Sequence, residues 1–334
     1  LKFRSLSDQH PLHHLAAIAM GKGKIKTHAS KEAMRWTDDG EVGEIVQEPT
    51  SQGNKFDVRM ESEEDGGLAA SKIVDKLKDR GVCLVQANAP KDLVMAANDE
   101  AESLWEENVF QPPLRVHDDR SMLEAPLWQH ALRDEEKVHW IRPKDKDPSG
   151  KAHMTNALRV LADKIAEFGG GLAELLQKEL GLQFDRFGHA MMSCYTGDRS
   201  YALHLDNCHG DEDDDTGLPD NGMRLTLVYF INMYWNPIKR DNGGGLDFYL
   251  TDPAAAPSAA GDVKSAKVLR IAPHADTLVL FLSERMAHRV IQTRGEQKWF
   301  CMTLWCLNGE VMGRATKTLL MRRKAQQEDS DDEA

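Results

Sequence analysis

The chain of 334 residues is 41 % hydrophobic and 29 % charged and carries a formal net charge of −12, the profile of a globular protein able to bury one large or two ordinary cores. The acidic balance argues against a general nucleic-acid binder, which would carry a basic face, and no uninterrupted apolar run reaches the ~18 residues of a membrane-spanning helix. The five cysteines (Cys83, Cys194, Cys208, Cys301, Cys306) are odd in number and lack C-x-x-C spacing. They therefore read as reduced thiols of an intracellular protein, cytoplasmic or nuclear, with no structural zinc.

Residues 1–66 mix charge, Gly and Ser without sustained periodicity and read as a disordered or loosely docked extension, with a short helix near 12–20 and a docking point at Trp36. Because the sequence opens on Leu1, a targeting segment upstream is left unread. A domain is expected over 67–312, divided into helical support (67–188) and a strand-rich core (189–312), followed by a charged, solvated tail over 313–334.

Ala69, Ile73 and Leu77 predict a first helix stopped by Gly81, followed by a short buried strand at 82–85. A second helix is predicted over 90–105, with Leu93, Ala96, Ala97, Ala101 and Leu104 on its apolar face. The stretch 108–150 reads as loops around a strand at 137–141, fit to grip a substrate or simply to connect. Two further helices are expected at 155–168 and at 172–180, the latter closed by Gly181.

From His189 the texture becomes strands, at 190–195, 201–206, 225–232, 246–250, 267–271, 277–282, 288–292 and 299–306, separated by turn signals such as Gly243-Gly244-Gly245. Many short strands of this kind predict a sandwich or barrel.

His-x-Asp occurs four times, starting at His117, His204, His209 and His274, but only the 204/206 pair lies within an alternating strand pattern. There His204 and Asp206 point one way while Leu203 and Leu205 point the other. A second imidazole from a distant strand, best His288, would complete the two-histidine, one-carboxylate set that holds non-haem Fe(II) and leaves positions open. Activation of O2 also needs a co-substrate as electron source. For 2-oxoglutarate, whose far carboxylate calls for a cation, the expected anchor is Lys298, ten positions after His288, with Arg294 and Arg224 as runners-up.

Residues from about 68 to 309 resemble the prolyl 4-hydroxylase branch of the Fe(II)/2-oxoglutarate dioxygenases, most closely the oxygen-sensing prolyl hydroxylases that act on hypoxia-inducible factor. The likeness rests on Cys194-Tyr195-x-Gly197, on His204-x-Asp206-Asn207 followed by Gly210-Asp211, and on Tyr229-Phe230-Ile231-Asn232. It continues through Gly243-Gly244-Gly245-Leu246, His288-x-Val290, Thr303-x-Trp305 and the Lys137 to Ile141 segment.

The resemblance implies an α+β, mainly β fold, a double-stranded β-helix (jelly roll, cupin-like) buttressed by N-terminal helices. It implies Fe(II) on His204, Asp206 and His288, 2-oxoglutarate against Lys298 with Tyr195 and Thr303 beside it, Trp305 lining the cavity, and Tyr201 facing substrate. Phe230 stands where the animal enzymes carry a tyrosine hydroxyl, and Lys298 where they carry arginine. The activity implied is hydroxylation of a prolyl residue at C4 in a protein or peptide, using O2, with release of succinate and CO2 and with ascorbate as reductant. Neither a nucleic acid nor a membrane is expected as partner. Two other readings remain open: an oxygenase of a non-proline residue or small molecule, and a non-catalytic interaction module on the same fold.

Overall fold

The computed structural model describes residues 44–50, 53–60, 66–111, 137–142, 152–197, 200–207, 219–235, 243–250, 266–294 and 297–332. The strands are β1 (Ile45–Gln47), β2 (Val58–Arg59), β3 (Val82–Gln86), β4 (Lys137–Ile141), β5 (Arg186–Phe187), β6 (Ala190–Thr196) and β7 (Tyr201–His204). They continue with β8 (Met223–Phe230), β9 (Leu246–Leu250), β10 (Lys267–Ile271), β11 (Thr277–Leu282), β12 (His288–Val290) and β13 (Lys298–Leu307). The helices are α1 (Gly66–Arg80), α2 (Lys91–Glu106), α3 (Asn156–Gly171), α4 (Ala173–Leu180) and α5 (Gly309–Asp332).

From β6 onward the chain weaves a double-stranded β-helix. The major sheet has the order β2-β3-β11-β8-β13-β6-β4, with β5 added on β13, and the minor sheet the order β1-β10-β9-β12-β7. The eight strands β6 to β13 supply four to each sheet, and their pairings are all antiparallel. Alternation along each strand sorts the side chains into two cores. Leu225, Leu227 and Tyr229 of β8 and Phe300, Met302 and Leu304 of β13 pack with α1 to α4 in one cluster. Val228 and Phe230 of β8, with Trp299 and Cys301 of β13, join Phe248, Phe281 and Val290 in the cluster between the sheets. The helices are thus a buttress on the outer face of the major sheet, as expected, and the inner face is left for chemistry.

The buttress follows its sequence pattern closely. Gly81 and Gly181 both take left-handed φ, 80° and 69°, where the helices before them end. Among the described residues no helix is long and apolar enough to cross a membrane.

Two expectations about the ends are corrected. Residues 44–60 are not a loose extension over their described parts: β1 lies parallel to β10, and β2 lies parallel to β3, each covering a sheet edge. Buried Asn54 ties this segment down, donating to the Ala272 carbonyl (2.8 Å) and Thr277 Oγ1 (3.1 Å) and accepting from the Ala272 N–H (2.9 Å). Strands of two and three residues are too short to show alternation. The charged segment from 313 is helical rather than a free tail. Asn308 accepts from the Val311 N–H at 3.1 Å at the start of α5, Ala315 is buried, and the run is rich in good helix formers. The expected features at 12–20 and Trp36, most of the 108–150 connection, Cys208 and the acidic loop after it lie outside the described residues.

Candidate metal centre

β7 and β12 are antiparallel neighbours, and His204 and His288 are register partners across them. Directly opposed residues on paired strands share a face, so both imidazoles enter the space between the sheets, with ring centroids 4.1 Å apart. β7 ends at His204, two residues short of the expected strand. The chain nevertheless continues so that Leu205 is buried in a separate outer cluster, with Leu203 packed against it, while Asp206 turns inward. Asp206 Oδ1 lies 3.6 Å from His204 Nε2 and 3.8 Å from His288 Nε2, and the three donor atoms lie within 4.8 Å of one another.

Each donor is held from behind. His288 Nδ1 is 2.9 Å from the Met286 carbonyl, which can only accept, so Nδ1 carries the proton and the Nε2 lone pair faces the site. Phe248 stacks on the His288 ring at 5.3 Å, and Phe281 tilts against it at 4.6 Å. Asp206 Oδ2 accepts from Thr226 Oγ1 (2.6 Å) and from the Trp305 indole N–H (3.1 Å), so Oδ1 is the oxygen left toward the histidines. Ser283 Oγ lies 2.9 Å from Thr226 Oγ1, and Asn221 donates to the Asp206 carbonyl at 2.9 Å. Burial alone would raise the Asp206 carboxyl. The His204 contact, the charges of His288 and His204 and the Thr226 hydroxyl outweigh burial and hold the carboxyl well below the usual carboxylate range. Burial and the facing His204 push the His288 imidazole down to about 4, against the pull of Asp206. The set therefore offers the His288 Nε2 lone pair, the facing His204 imidazole and one ionised carboxylate, the residue types that hold non-haem Fe(II).

The other anticipated residues divide. Trp305 faces inward, but its N–H is committed to the Asp206 carboxylate, so it orients a ligand in addition to lining the space. Thr303 is buried, two residues along β13 on the same face. Tyr195 is buried and stacks on Trp299 with centroids 4.6 Å apart. Tyr201, expected to face substrate, is only 4 % exposed and sets its ring edge-on to His204 at 4.3 Å, so it supports a ligand ring.

The anchor is the clear correction. β13 pairs with β6 without irregularity from Lys298 to Thr303, so Lys298 lies on the face opposite Trp305 and its ammonium meets Glu102 of α2. The runners-up fare no better. Arg294 is exposed, and Arg224 is bound to Asp220 through two bonds (2.7 and 2.8 Å) and to Glu284 (2.6 Å). Of the three cations proposed for the far carboxylate of 2-oxoglutarate, Lys298 and Arg224 are thus paired with carboxylates and Arg294 is exposed.

The sequence reading missed Thr226, Ser283, Asn221 and Glu102. Thr226 sits one strand step from Val228 on the inner face, so the β8 alternation contained its signal. Asn221 lies in a polar loop without periodicity.

Residues 190–307 match the sequence model of the 2OG-Fe(II) oxygenase superfamily. Among solved structures, the chain is similar to the prolyl hydroxylase of Trichoplax adhaerens in complex with a hypoxia-inducible-factor oxygen degradation domain peptide fragment. The identity is 19 % and the TM-score 0.52, over 75 % of this chain and 94 % of that one. A prolyl-4-hydroxylase of Pseudomonas putida aligns at 20 % identity and TM-score 0.49, over 72 % of this chain and 98 % of that one. Residues 190–307 thus form a domain that matches the 2OG-Fe(II) oxygenase superfamily, on a double-stranded β-helix similar in fold to that of the Trichoplax prolyl hydroxylase.

Proposed function

We propose that this chain is an Fe(II)-dependent oxygenase that hydroxylates a prolyl residue of a protein substrate at C4. The observation that carries the oxygenase reading is the inward trio His204, Asp206 and His288, with Asp206 Oδ2 consumed by Thr226 and Trp305 so that Oδ1 joins the two imidazoles. These three residues would hold the iron by one face and leave the rest of its coordination open. Iron bound there supplies oxidation by O2 in which a 2-oxo acid, losing CO2 and taking one oxygen atom, gives two electrons, and a substrate C–H, taking the other oxygen atom as hydroxyl, gives two more.

The residues of this chain do the positioning. Met286 fixes the His288 tautomer, Tyr201 and Phe248 wedge the two rings, and the buried aromatic lining excludes bulk water from the inner face. Support for proline comes from the ordered motifs between Cys194 and Trp305 that resemble prolyl hydroxylases, and from the shared fold of a prolyl hydroxylase that was solved with a peptide.

The test is mass spectrometry of proline-containing peptides incubated with the Fe(II)-loaded chain, 2-oxo acid, O2 and ascorbate, with His204→Ala and Asp206→Ala as controls. A +16 Da adduct on proline, lost in both controls, is the expected result. An adduct on another residue would remove the prolyl assignment. Partner binding retained by the controls, with no turnover by the wild type, would leave an interaction module.

A further inference from the structure

The inward residue at the head of β13 is Trp299. Side chains of this strand alternate without a bulge through the segment paired with β6. Phe300, Met302 and Leu304 enter the helix-side core, whereas Trp299 and Cys301 enter the cluster between the sheets, the one that contains Phe248 beside His288. The Trp299 indole is fully buried, stacked on Tyr195 at 4.6 Å and 26°, and set edge-on to Phe230 at 5.8 Å. Its N–H donates to buried Thr293 Oγ1 at 3.0 Å. The Gly243 to Gly245 turn closes over it. Gly244 takes φ +76°, and a Cβ there would fall 2.7 Å from the indole nitrogen, so the turn is shaped to admit this ring.

Several basic side chains of the strands are paired with carboxylates. Lys298 meets Glu102 on the helix side. Arg270 and Arg289 share Asp247 on the outer face of the minor sheet, at 2.8 and 3.1 Å. Arg224, on the inner side of β8, lies beyond Thr226 from Phe230 and is neutralised by Asp220 and Glu284. Among the described residues, Lys267, which shares the inner-face parity of Leu269 and Ile271, is exposed at the Leu250 end of the minor sheet, and Arg294 is exposed beside Thr293, so a carboxylate on the inner face at Trp299 meets an aromatic wall with neither cation buried against it. A buried carboxylate without a cationic partner is disfavoured, while an uncharged tail gains by leaving water for that wall.

We propose that Trp299 sets the co-substrate choice of this oxygenase toward 2-oxo acids whose tail is uncharged, an inference that rests on the oxygenase reading above. The electron balance is that of 2-oxoglutarate. The acid loses CO2, its carbonyl carbon takes one oxygen atom from O2, and a carboxylic acid one carbon shorter is released after giving two electrons.

The test compares 2-oxoglutarate with 2-oxopentanoate, which has the same carbon chain ending in a methyl group. Each is titrated anaerobically into the Fe(II)-loaded full chain and followed by the charge-transfer absorption of the chelated 2-oxo acid. Wild type binds 2-oxopentanoate at least as tightly as 2-oxoglutarate, and Lys298→Met leaves that ratio unchanged. Trp299→Arg moves it toward 2-oxoglutarate by tenfold or more. Tighter binding of 2-oxoglutarate by the wild type, or its loss in Lys298→Met, overturns the proposal, and these two arms decide even where the arginine variant does not fold. Absence of binding by both acids overturns the oxygenase reading together with this inference, and is told apart from the other outcomes because it spares neither acid.

Discussion

The Lys298 ammonium lies against the Glu102 carboxylate of α2, on the face of β13 opposite the one from which Trp305 reaches Asp206. The pair joins a helix of the buttress to the strand that backs the metal centre, and both side chains are partly exposed, at 28 % and 36 %. Partly exposed pairs contribute little, so Lys298→Ala and Glu102→Ala should each lower stability by about 1 kcal/mol or less, with a comparable coupling in the double mutant. Metal affinity should not change. Denaturant melts of the four proteins, with a metal titration on each, check this. A loss of metal binding in Lys298→Ala alone would place the lysine on the wrong face.

Orientation of Asp206 gives a second prediction. Thr226 and Trp305 both donate to Oδ2, so removing either donor frees the carboxylate to rotate and exposes an acceptor to desolvation without a partner. Trp305→Phe and Thr226→Val should each weaken Fe(II) or Mn(II) binding by roughly 10- to 100-fold, the usual cost of losing a group that orients a ligand, while far-UV circular dichroism stays native. Unchanged affinity in both variants would show that the carboxylate is held by the histidines alone.

Much of this architecture was readable from period and parity. The β8 run from Met223 to Phe230 and the β13 run from Lys298 to Leu307 are long enough for alternation to declare a face. That same parity already opposed Lys298 to Trp305, seven residues apart, and the absence of a bulge between them decides the matter. Other features left no local pattern. β1 and β2 have three and two residues and gain their order from β10 and β3, which are more than two hundred and about twenty-five residues away. Asp206 lies past the end of β7, so its inward turn depends on Thr226 and Trp305, which no count along the chain brings near it. The charged run after 312 looked like a tail because composition outweighed its helix formers, although Asn308 stands ready as the cap.

The loop under the centre carries a pH dependence. Burial would raise the Asp220 carboxyl, but bonds from Arg224, Asn207 and the Gly222 N–H, with the Arg224 charge, bring it down to about 2. Its folded pKa is thus below the unfolded value of ~3.9, so the stabilisation is complete above about pH 4 and is lost as pH falls toward 2. Asp220→Asn should cost about 1–2 kcal/mol at pH 7, after allowance for its 30 % exposure. The difference from wild type should shrink on acidification between pH 4 and 2. Chemical denaturation across that range measures it, and a difference that stays constant with pH would assign the loss to packing instead.

The domain boundary itself can be tested at the N-terminal edge. Residues 44–60 contribute the Asn54 bonds to Ala272 and Thr277, buried Val58, Phe56 packed on the inner core, and Asp57, which accepts from the Leu84 N–H at 2.8 Å and pairs with Arg80. At about 1 kcal/mol for each net hydrogen bond and about 1.5–3 kcal/mol for a buried valine, removing them takes away several kcal/mol. That is a large part of the ~5–15 kcal/mol by which a typical domain is stable. It also strips the cover from β3 and β10, leaving two open edges that invite intermolecular pairing. A chain beginning at residue 44 keeps all of these contacts, whereas one beginning at residue 67 should melt well below it or aggregate. Size-exclusion chromatography and calorimetry of the two chains provide the measurement. Equal melting temperatures and equal solubility would return residues 44–60 to the status of a dispensable extension.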